Sequence, residues 1–586
     1  MRKTSREITL EIATPEPTPY WALLERELLS AEADAIREYY GLYFDARGYQ
    51  LCTPRWGGDD GPDDAAENLL NWTMLHALGA PDVVLDLYRK GWEGHLRQYT
   101  EARTVDVPLA RDGMYYREFP TQFDWLHNGE ACSPFVLQGL SDPDDLAFQK
   151  RTRRFAGFYM NEDPQAPNYD PERRLIRSFF NGSRGPLMRK ATGLDWAGDP
   201  IEVAGRFRLR HGETSFEQMV EHFQDYNDVV GDNPMNLGTT TLAFNAYALT
   251  GEAKYRDWLL DYVGAWVERT AANGGLVPSN VGLDGTIGGT AGGRWYGGVY
   301  GWGFSVYDPP SGKLAHRPSF LERAHYGFAN ALLLTGERRY VDLWREMLLS
   351  VNEQKRAEGG QTLYPHMYGD QGWYEFRPEP FAHGALETYY WTLQRDVLGL
   401  LPEKPRWIAY LDGEDPDYPT AALRQDLATL RHNMEQIRKD TTTPDTRLSD
   451  ETHGLNPAIT ETLTRLMLGG LPTGRVGGPL HARLRYFDPV ARRAGLPESV
   501  GALVERMAES EVVVSLANVS PLEAREVVVQ GGGYAEHQIE SATVGGATVP
   551  IDHSHFTVRL APGAVGRLTL TLRRYANQPT LAFPWQ

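Results

Sequence analysis

The chain has 586 residues, of which 41% are hydrophobic and 23% charged, and its formal net charge is -19. That length exceeds one ordinary core, so a large domain with an appendage is expected, and the acidity disfavours nucleic acid and anionic membranes as partners. The two cysteines, Cys52 and Cys132, exclude a disulfide framework and a CxxC metal centre, and no apolar run reaches the roughly 18 residues of a membrane span.

In chain order, the N-terminal MRKTSREITLEIATPEP is basic but lacks an apolar stretch, so no secretory signal is expected and the location reads as cytoplasmic. Alternation at Ile8, Leu10 and Ile12 predicts a strand in an arm over 1–20. The run from Arg55 to Asp64 then holds Asp59, Asp60, Asp63 and Asp64, with Glu67 and Asn68 following. Such crowding needs solvent, a cation or hydrogen bonds; it fits a helix start, a catalytic or substrate-binding role, or Ca²⁺, although the spacing is not that of an EF-hand. His76 to Gly79 leads into a helix with Val84, Leu87, Tyr88 and Trp92 on one face.

Asp124, His127 and Glu130 recur at three-residue steps, which places them on one helical face suited to acid/base work or to bracing helices. Leu137 to Asp142 leads into a helix carrying Phe148, Phe155 and Tyr159. Asn181, Arg177 and Arg184 follow; the arginines have the geometry to clamp a carboxylate or to form structural ion pairs. A helix is expected around Phe216 to Tyr226, and Asp228, Asp232, Asn233 and Asn236 precede the next apolar segment.

The clearest internal repeat is Leu249-Thr250-Gly251-Glu252 and Leu334-Thr335-Gly336-Glu337. Each copy joins a segment that is apolar all round to an amphipathic one, which predicts an inner helix, a glycine-capped turn and an antiparallel outer helix. Between the copies, Asn280 to Tyr307 alternates glycine with rings and carries Arg294, Trp295, Tyr296, Tyr300 and Trp302. No strand-then-helix context supports a nucleotide fingerprint, and the rings read as a platform for the flat faces of sugars. His366, Tyr368 and Trp373 extend this set; His383 and Glu387 have ligand spacing, but no third metal ligand is evident.

A buried helix is expected over Phe381 to Leu398, a surface connection over about 401–420, and an amphipathic helix over Ala421 to Lys439. From about residue 505 the apolar period falls from 3.6 to 2, which predicts a small β-sandwich over 505–586. About six inner–outer hairpins with unequal loops favour a closed ring, so the expected fold is mainly α: an (α/α)6 toroid over 21–500 followed by the sandwich.

Four stretches carry a resemblance. They are Phe123 to Glu130, Arg154 to Tyr159, Asn181 to Pro186, and Trp295 to Trp302. Together they resemble (α/α)6 proteins of bacterial polysaccharide-utilisation systems, most closely the β-glucuronidases of glycoside hydrolase family 154. The resemblance implies an exo-acting hydrolase that removes a terminal uronic acid; from the residues, an oligosaccharide substrate and no cofactor or metal are expected.

From the residues themselves, Glu130 or Asp124 is expected in one acid/base role and Asp63, Asp64 or Asp232 in the other, with His127 nearby. Arg55, Arg184 or Arg294 would bind the uronate. Asp59, Asp60, Trp125, Asn181, Asn280, Trp295, Tyr296, Tyr300, Trp302, His366 and Trp373 complete the expected binding surface. A uronate lyase using His127, Tyr296 or Tyr300 with Asn181 and Arg184 is the alternative; a sugar-binding protein and an epimerase are weaker readings. A homo-oligomer is compatible with the sequence.

Overall fold

The computed structural model describes residues 8–54, 61–102, 114–120, 125–177, 231–297, 302, 306–308, 313–315, 324–475 and 477–586. The first long element is α1, Tyr20–Tyr43, whose Leu28, Leu29 and Ile36 are fully buried. Each such side chain contributes roughly 1.5–3 kcal/mol of hydrophobic free energy. The same face also buries Glu25 and Glu32, which accept the backbone N–H groups of Ala502 and Ile459 at 3.0 and 2.9 Å. Burial pushes both carboxyls well above the usual carboxylate range.

Short helices then precede longer ones along the chain. α2 (Pro62–Glu67) and α3 (Trp72–Leu78) precede α4 (Val83–Glu101), and α5 (Trp125–Val136) and α6 (Gln138–Ser141) precede α7 (Leu146–Phe158). Asp145 caps α7 by accepting the Phe148 N–H at 2.6 Å.

Both copies of the Leu-Thr-Gly-Glu repeat form the same turn. α8 (Thr240–Thr250) ends at Gly251 with φ 69°, and α9 is Ala253–Ala272. α10 (Ala324–Thr335) ends before Gly336 with φ 71°, and α11 is Arg339–Glu353. In both, the threonine hydroxyl donates to the carbonyl four residues back, at 2.7 and 2.8 Å, and accepts the glutamate N–H at 3.1 Å. All of α8 from Thr240 to Ala248, and α10 from Ala324 to Leu334, is buried, while α9 and α11 bury one face each. The inner–outer reading of the repeat therefore holds in the structure.

The helix expected over Phe381 to Leu398 is shorter. α12 is Ala385–Thr392; Leu393, at φ 56°, ends it, and Arg395–Leu400 continues as 3-10 turns. The stretch expected as a surface connection contains α13 (Arg406–Leu411), with Trp407 and Ile408 buried. α14 (Tyr418–Lys439), α15 (Asp450–His453) and α16 (Glu461–Leu468) follow. α14 lies against α1 and α15 against α2, so the two ends of the helical region meet.

Two five-stranded sheets follow. One is ordered Thr9–Ile12, His555–Leu560, Arg525–Gly531, Leu484–Asp488, Arg493–Ala494; the other Val500–Met507, Glu511–Asn518, Val565–Arg573, Gln538–Val544, Ala547–His553. The period-2 reading appears directly: Leu568, Leu570 and Leu572 are buried and the threonines between them are not. The strands that follow the last helix begin at Leu484, within the span expected to be helical. The N-terminal strand joins the first sheet in parallel, with Leu10 opposite Val558. The C-terminal tail returns to the helices, where the Leu581 N–H donates to the Ala248 carbonyl at 2.8 Å.

Among the described residues, no helix is long and apolar enough to cross a membrane.

Candidate active site

Three segments that are distant in sequence bring their acids together. Gly61 and Pro62 open α2, and proline at a first helical position gives up only an N–H that has no intrahelical partner. Asp63, Asp64 and Glu67 follow on α2, with Asp63 and Glu67 buried. α5 packs against α2 and carries His127 and Glu130, both half-buried. α15 adds Asp450 and His453.

Burial, and then the nearby charges of Asp63, Glu67, Asp450 and Glu130, hold the Asp64 carboxyl well above the usual carboxylate range. A carboxyl raised in this way beside other acids is an arrangement that can separate proton donor from acceptor.

The frame around these acids is specific. Asn68 donates to the Asp64 and Ser449 carbonyls at 3.1 and 3.0 Å and accepts from the Tyr39 and Thr452 hydroxyls. Asn456 donates to the Glu67 carbonyl at 3.2 Å and accepts the Trp72 indole N–H at 2.9 Å. These bonds pin α2 to α15.

A further group arrives on the loop between α16 and the first sheet. Gly477, at φ 62°, lies so close to Gly129 that a Cβ there would sit 2.7 Å from the Gly129 carbonyl oxygen. Its N–H donates to the Ser133 hydroxyl at 3.0 Å. This docking brings Arg475 Nη1 to 3.0 Å from Glu67 Oε2 and Nη2 to 2.6 Å from His453 Nε2. A guanidinium only donates, so His453 Nε2 accepts and its ring hydrogen sits on Nδ1, 2.6 Å from Asp450 Oδ1.

Of the residues expected from sequence, the structure thus joins Asp63, Asp64 and Glu130, with His127 one turn before Glu130. In the sequence Glu67 only flanks the aspartate run, and Asp450, His453 and Arg475 carry no local signal. Asp124, Arg55, Asp59, Asp60, Asn181, Arg184 and Tyr300 lie outside the described residues.

Asp232 sits in a separate buried network. It accepts from the Ile176, Asn233 and Asn236 N–H groups at 2.9–3.0 Å and from the Tyr262 hydroxyl at 3.1 Å, with Arg269 Nη1 3.9 Å away. Burial raises its carboxyl despite these partners.

Two expected platform rings are core residues. Trp125 is 1% exposed, and a Cβ on Gly238 would lie 2.1 Å from its Cδ1. Trp302 is fully buried and donates its indole N–H to the Val277 carbonyl at 2.8 Å. Asn280 is buried too; it donates to the Arg294 and Gly297 carbonyls at 3.0 and 2.8 Å and accepts the Thr290 N–H, so it shapes the glycine-rich loop. His366 stacks edge-on against Phe381 at 5.7 Å, places Nε2 3.0 Å from the Glu379 carbonyl, and is pushed by burial below the usual histidine range.

Trp295, Tyr296 and Trp373 remain half-buried and gather around Tyr368, with ring centroids 4.8, 5.2 and 5.0 Å from it. Arg294, expected to clamp a uronate, is 2.8 Å from Asp370. Among the described residues, no group of three or more His, Cys, Asp or Glu is arranged to hold a metal ion.

The structure therefore presents a carboxylate-rich site at helix starts of a mainly helical region. The chain belongs to the family described as Domain of unknown function (DUF8034), whose model matches residues 8–379 and 402–464. No curated protein matches it. Among solved structures it is similar to the GH76A alpha-1,6-mannanase of Salegentibacter sp. HEL1_6, at 12% identity and a TM-score of 0.29, over 76% of this chain and 99% of that one. An inactive variant of that mannanase in complex with alpha-1,6-mannotriose matches at 12% identity and a TM-score of 0.28, with the same coverage. The cellobiose 2-epimerase of Spirochaeta thermophila DSM 6192 matches at 14% identity and a TM-score of 0.23, over 61% of this chain and 92% of that one.

Proposed function

We propose that the chain is a glycoside hydrolase built on an (α/α)6 toroid with an appended β-sandwich. The observation that carries this reading is the packing of α5 on α2, which brings Glu130 toward Asp64, a carboxyl raised well above the usual range by burial and by the acids around it. Asp64 donates a proton to the glycosidic oxygen as the bond breaks. Glu130, arriving from the facing helix, activates water or attacks the anomeric carbon. Asp63 and Glu67, the latter bound by Arg475, raise the Asp64 carboxyl and so favour its acid form.

The resemblance to glycoside hydrolase family 154 supports a terminal uronic acid as the residue released, by β-glucuronidase-like chemistry on an oligosaccharide. Arg475, half-exposed at the edge of the cluster, is a described arginine able to meet such a carboxylate; Arg55 and Arg184 are the other candidates.

The test is turnover of p-nitrophenyl β-glucuronide, β-glucoside and α-mannoside, with product absorbance followed for an unsaturated uronate as well. Release of sugar is expected, with a loss of ~10²–10⁴ in kcat for Glu130→Gln on the aryl glycosides and for Asp64→Asn on a uronate-capped oligosaccharide, whose sugar leaving group needs the proton as p-nitrophenolate does not. Oligosaccharide cleavage that survives Asp64→Asn overturns the assignment, and an unsaturated product moves the chemistry to β-elimination.

A further inference from the structure

We propose that the ring ledge formed by Trp295, Tyr296, Tyr368 and Trp373, with Arg294 and Asp370 at its rim, is a binding subsite for an uncharged pyranose unit of a longer glycan. Its occupancy is separate from bond cleavage at the acid cluster.

The ledge lies over a buried layer. Trp373 meets Trp302 edge-on at 5.6 Å, and Trp302 packs on Phe381 at 5.3 Å. The four outer rings stay half-buried, so each keeps part of its surface in water. The C–H faces of a pyranose match such surfaces, because the negative ring face attracts polarised C–H groups as it attracts other positive edges.

The rim supplies the polar half of the match. Arg294 Nε donates to Asp370 Oδ1 at 2.8 Å, and the Tyr296 hydroxyl donates to the same oxygen. The Arg294 and Asp370 side chains are 52% and 61% exposed. A donor and an acceptor fixed side by side complement two neighbouring sugar hydroxyls, which can accept from one and donate to the other. Because the two charges neutralise each other, a carboxylate ligand gains no free cation from Arg294 and faces Asp370. The ledge therefore selects neutral sugar over uronate.

The ledge is also set before any ligand arrives. Asn280 holds the Arg294 and Gly297 carbonyls, the Ser279 N–H donates to the Trp295 carbonyl at 2.7 Å, and the Tyr368 N–H donates to the Trp302 carbonyl at 2.9 Å. Rings already locked in place lose little conformational entropy on binding.

The test is calorimetric and fluorescence titration of the full chain, carrying Asp64→Asn so that no sugar is consumed, with cellotetraose, mannotetraose, xylotetraose and tetragalacturonate. At least one neutral tetrasaccharide is expected to bind and to perturb tryptophan emission. Trp373→Ala and Asp370→Asn are each expected to weaken that binding by ~10-fold, while tetragalacturonate gives no ledge-dependent signal. Trp373→Phe, which retains a ring against Trp302, guards against a folding defect and is expected to bind within a few-fold of the parent. The proposal is overturned if no neutral tetrasaccharide binds, if the ledge variants bind as well as the parent, or if tetragalacturonate binds through the ledge. Binding without turnover by the unsubstituted chain would sink the hydrolase reading and leave the ledge standing. Turnover with ledge-independent binding would do the reverse.

Discussion

Replacing Gly251 and Gly336 separately by alanine offers a matched comparison, because the two turns share the same threonine and backbone bonds. Both glycines have φ near 70°. Alanine in that region costs about 1–2 kcal/mol, offset by about 0.4–1 kcal/mol from a less flexible unfolded chain. At Gly251 a new Cβ meets nothing within 4 Å, so the net loss is about 1 kcal/mol. At Gly336 the Cβ would lie 3.0 Å from the Tyr575 carbonyl oxygen and 3.3 Å from its Cβ. Tyr575 yields poorly, since its own φ is 51° and its N–H donates to His537 Nδ1 at 3.1 Å. Overpacking adds about 1–3 kcal/mol, for a total of about 2–4 kcal/mol. Urea midpoints followed by tryptophan fluorescence read the difference. The expected order is parent, then Gly251→Ala, then Gly336→Ala. Equal midpoints for the two variants would refute the argument that the tail carbonyl, rather than φ alone, sets the cost.

Glu67→Gln removes a charge that raises the Asp64 carboxyl, so Asp64 loses its proton at lower pH. An essential acid must be protonated, hence the alkaline limb of kcat/KM should move to lower pH; an unmoved limb would separate Asp64 from the proton-donor role. Asp232→Asn leaves Arg269 without its buried counter-charge and turns an amide toward several donors, with an expected loss of about 3–5 kcal/mol in stability. A variant that kept its stability yet lost turnover would instead draw Asp232 into the chemistry.

Local pattern made the repeat legible, because a turn of four residues contains every group that builds it. It misled where an element is decided from elsewhere. α1 escapes a periodicity reading because Glu25 and Glu32 interrupt its apolar stripe, and the N–H groups that satisfy them belong to Ala502 and Ile459. The sequence extends the helix at 385–392 too far because Val397 and Leu398 continue the apolar run after Leu393 has turned the backbone out of helix.

In the run from Arg294 to Gly303, glycine between rings is expected to turn those rings to solvent. For Trp125 the relation is inverted, since Gly238 is small so that the backbone can press against the indole. The acid cluster was half legible. Asp63, Asp64 and Glu130 announce themselves by local crowding or helical spacing, whereas Asp450, His453 and Arg475 acquire meaning only across contacts of several hundred residues.

The stitching of α2 to α15 also sets a schedule. The Thr452 hydroxyl reaches Asn68 across 384 residues of chain, and Gly477 must dock on Gly129 before Arg475 can meet Glu67. Contacts this far apart in sequence close slowly, because the loop entropy is spent before the contact forms. On a growing polypeptide the aspartates of α2 emerge early and wait, hydrated and without their frame, for most of synthesis. Only when the segment leading into the sheets has left the ribosome do burial and crowding begin to act on Asp64, so the protein acquires its acid near the end of its own assembly.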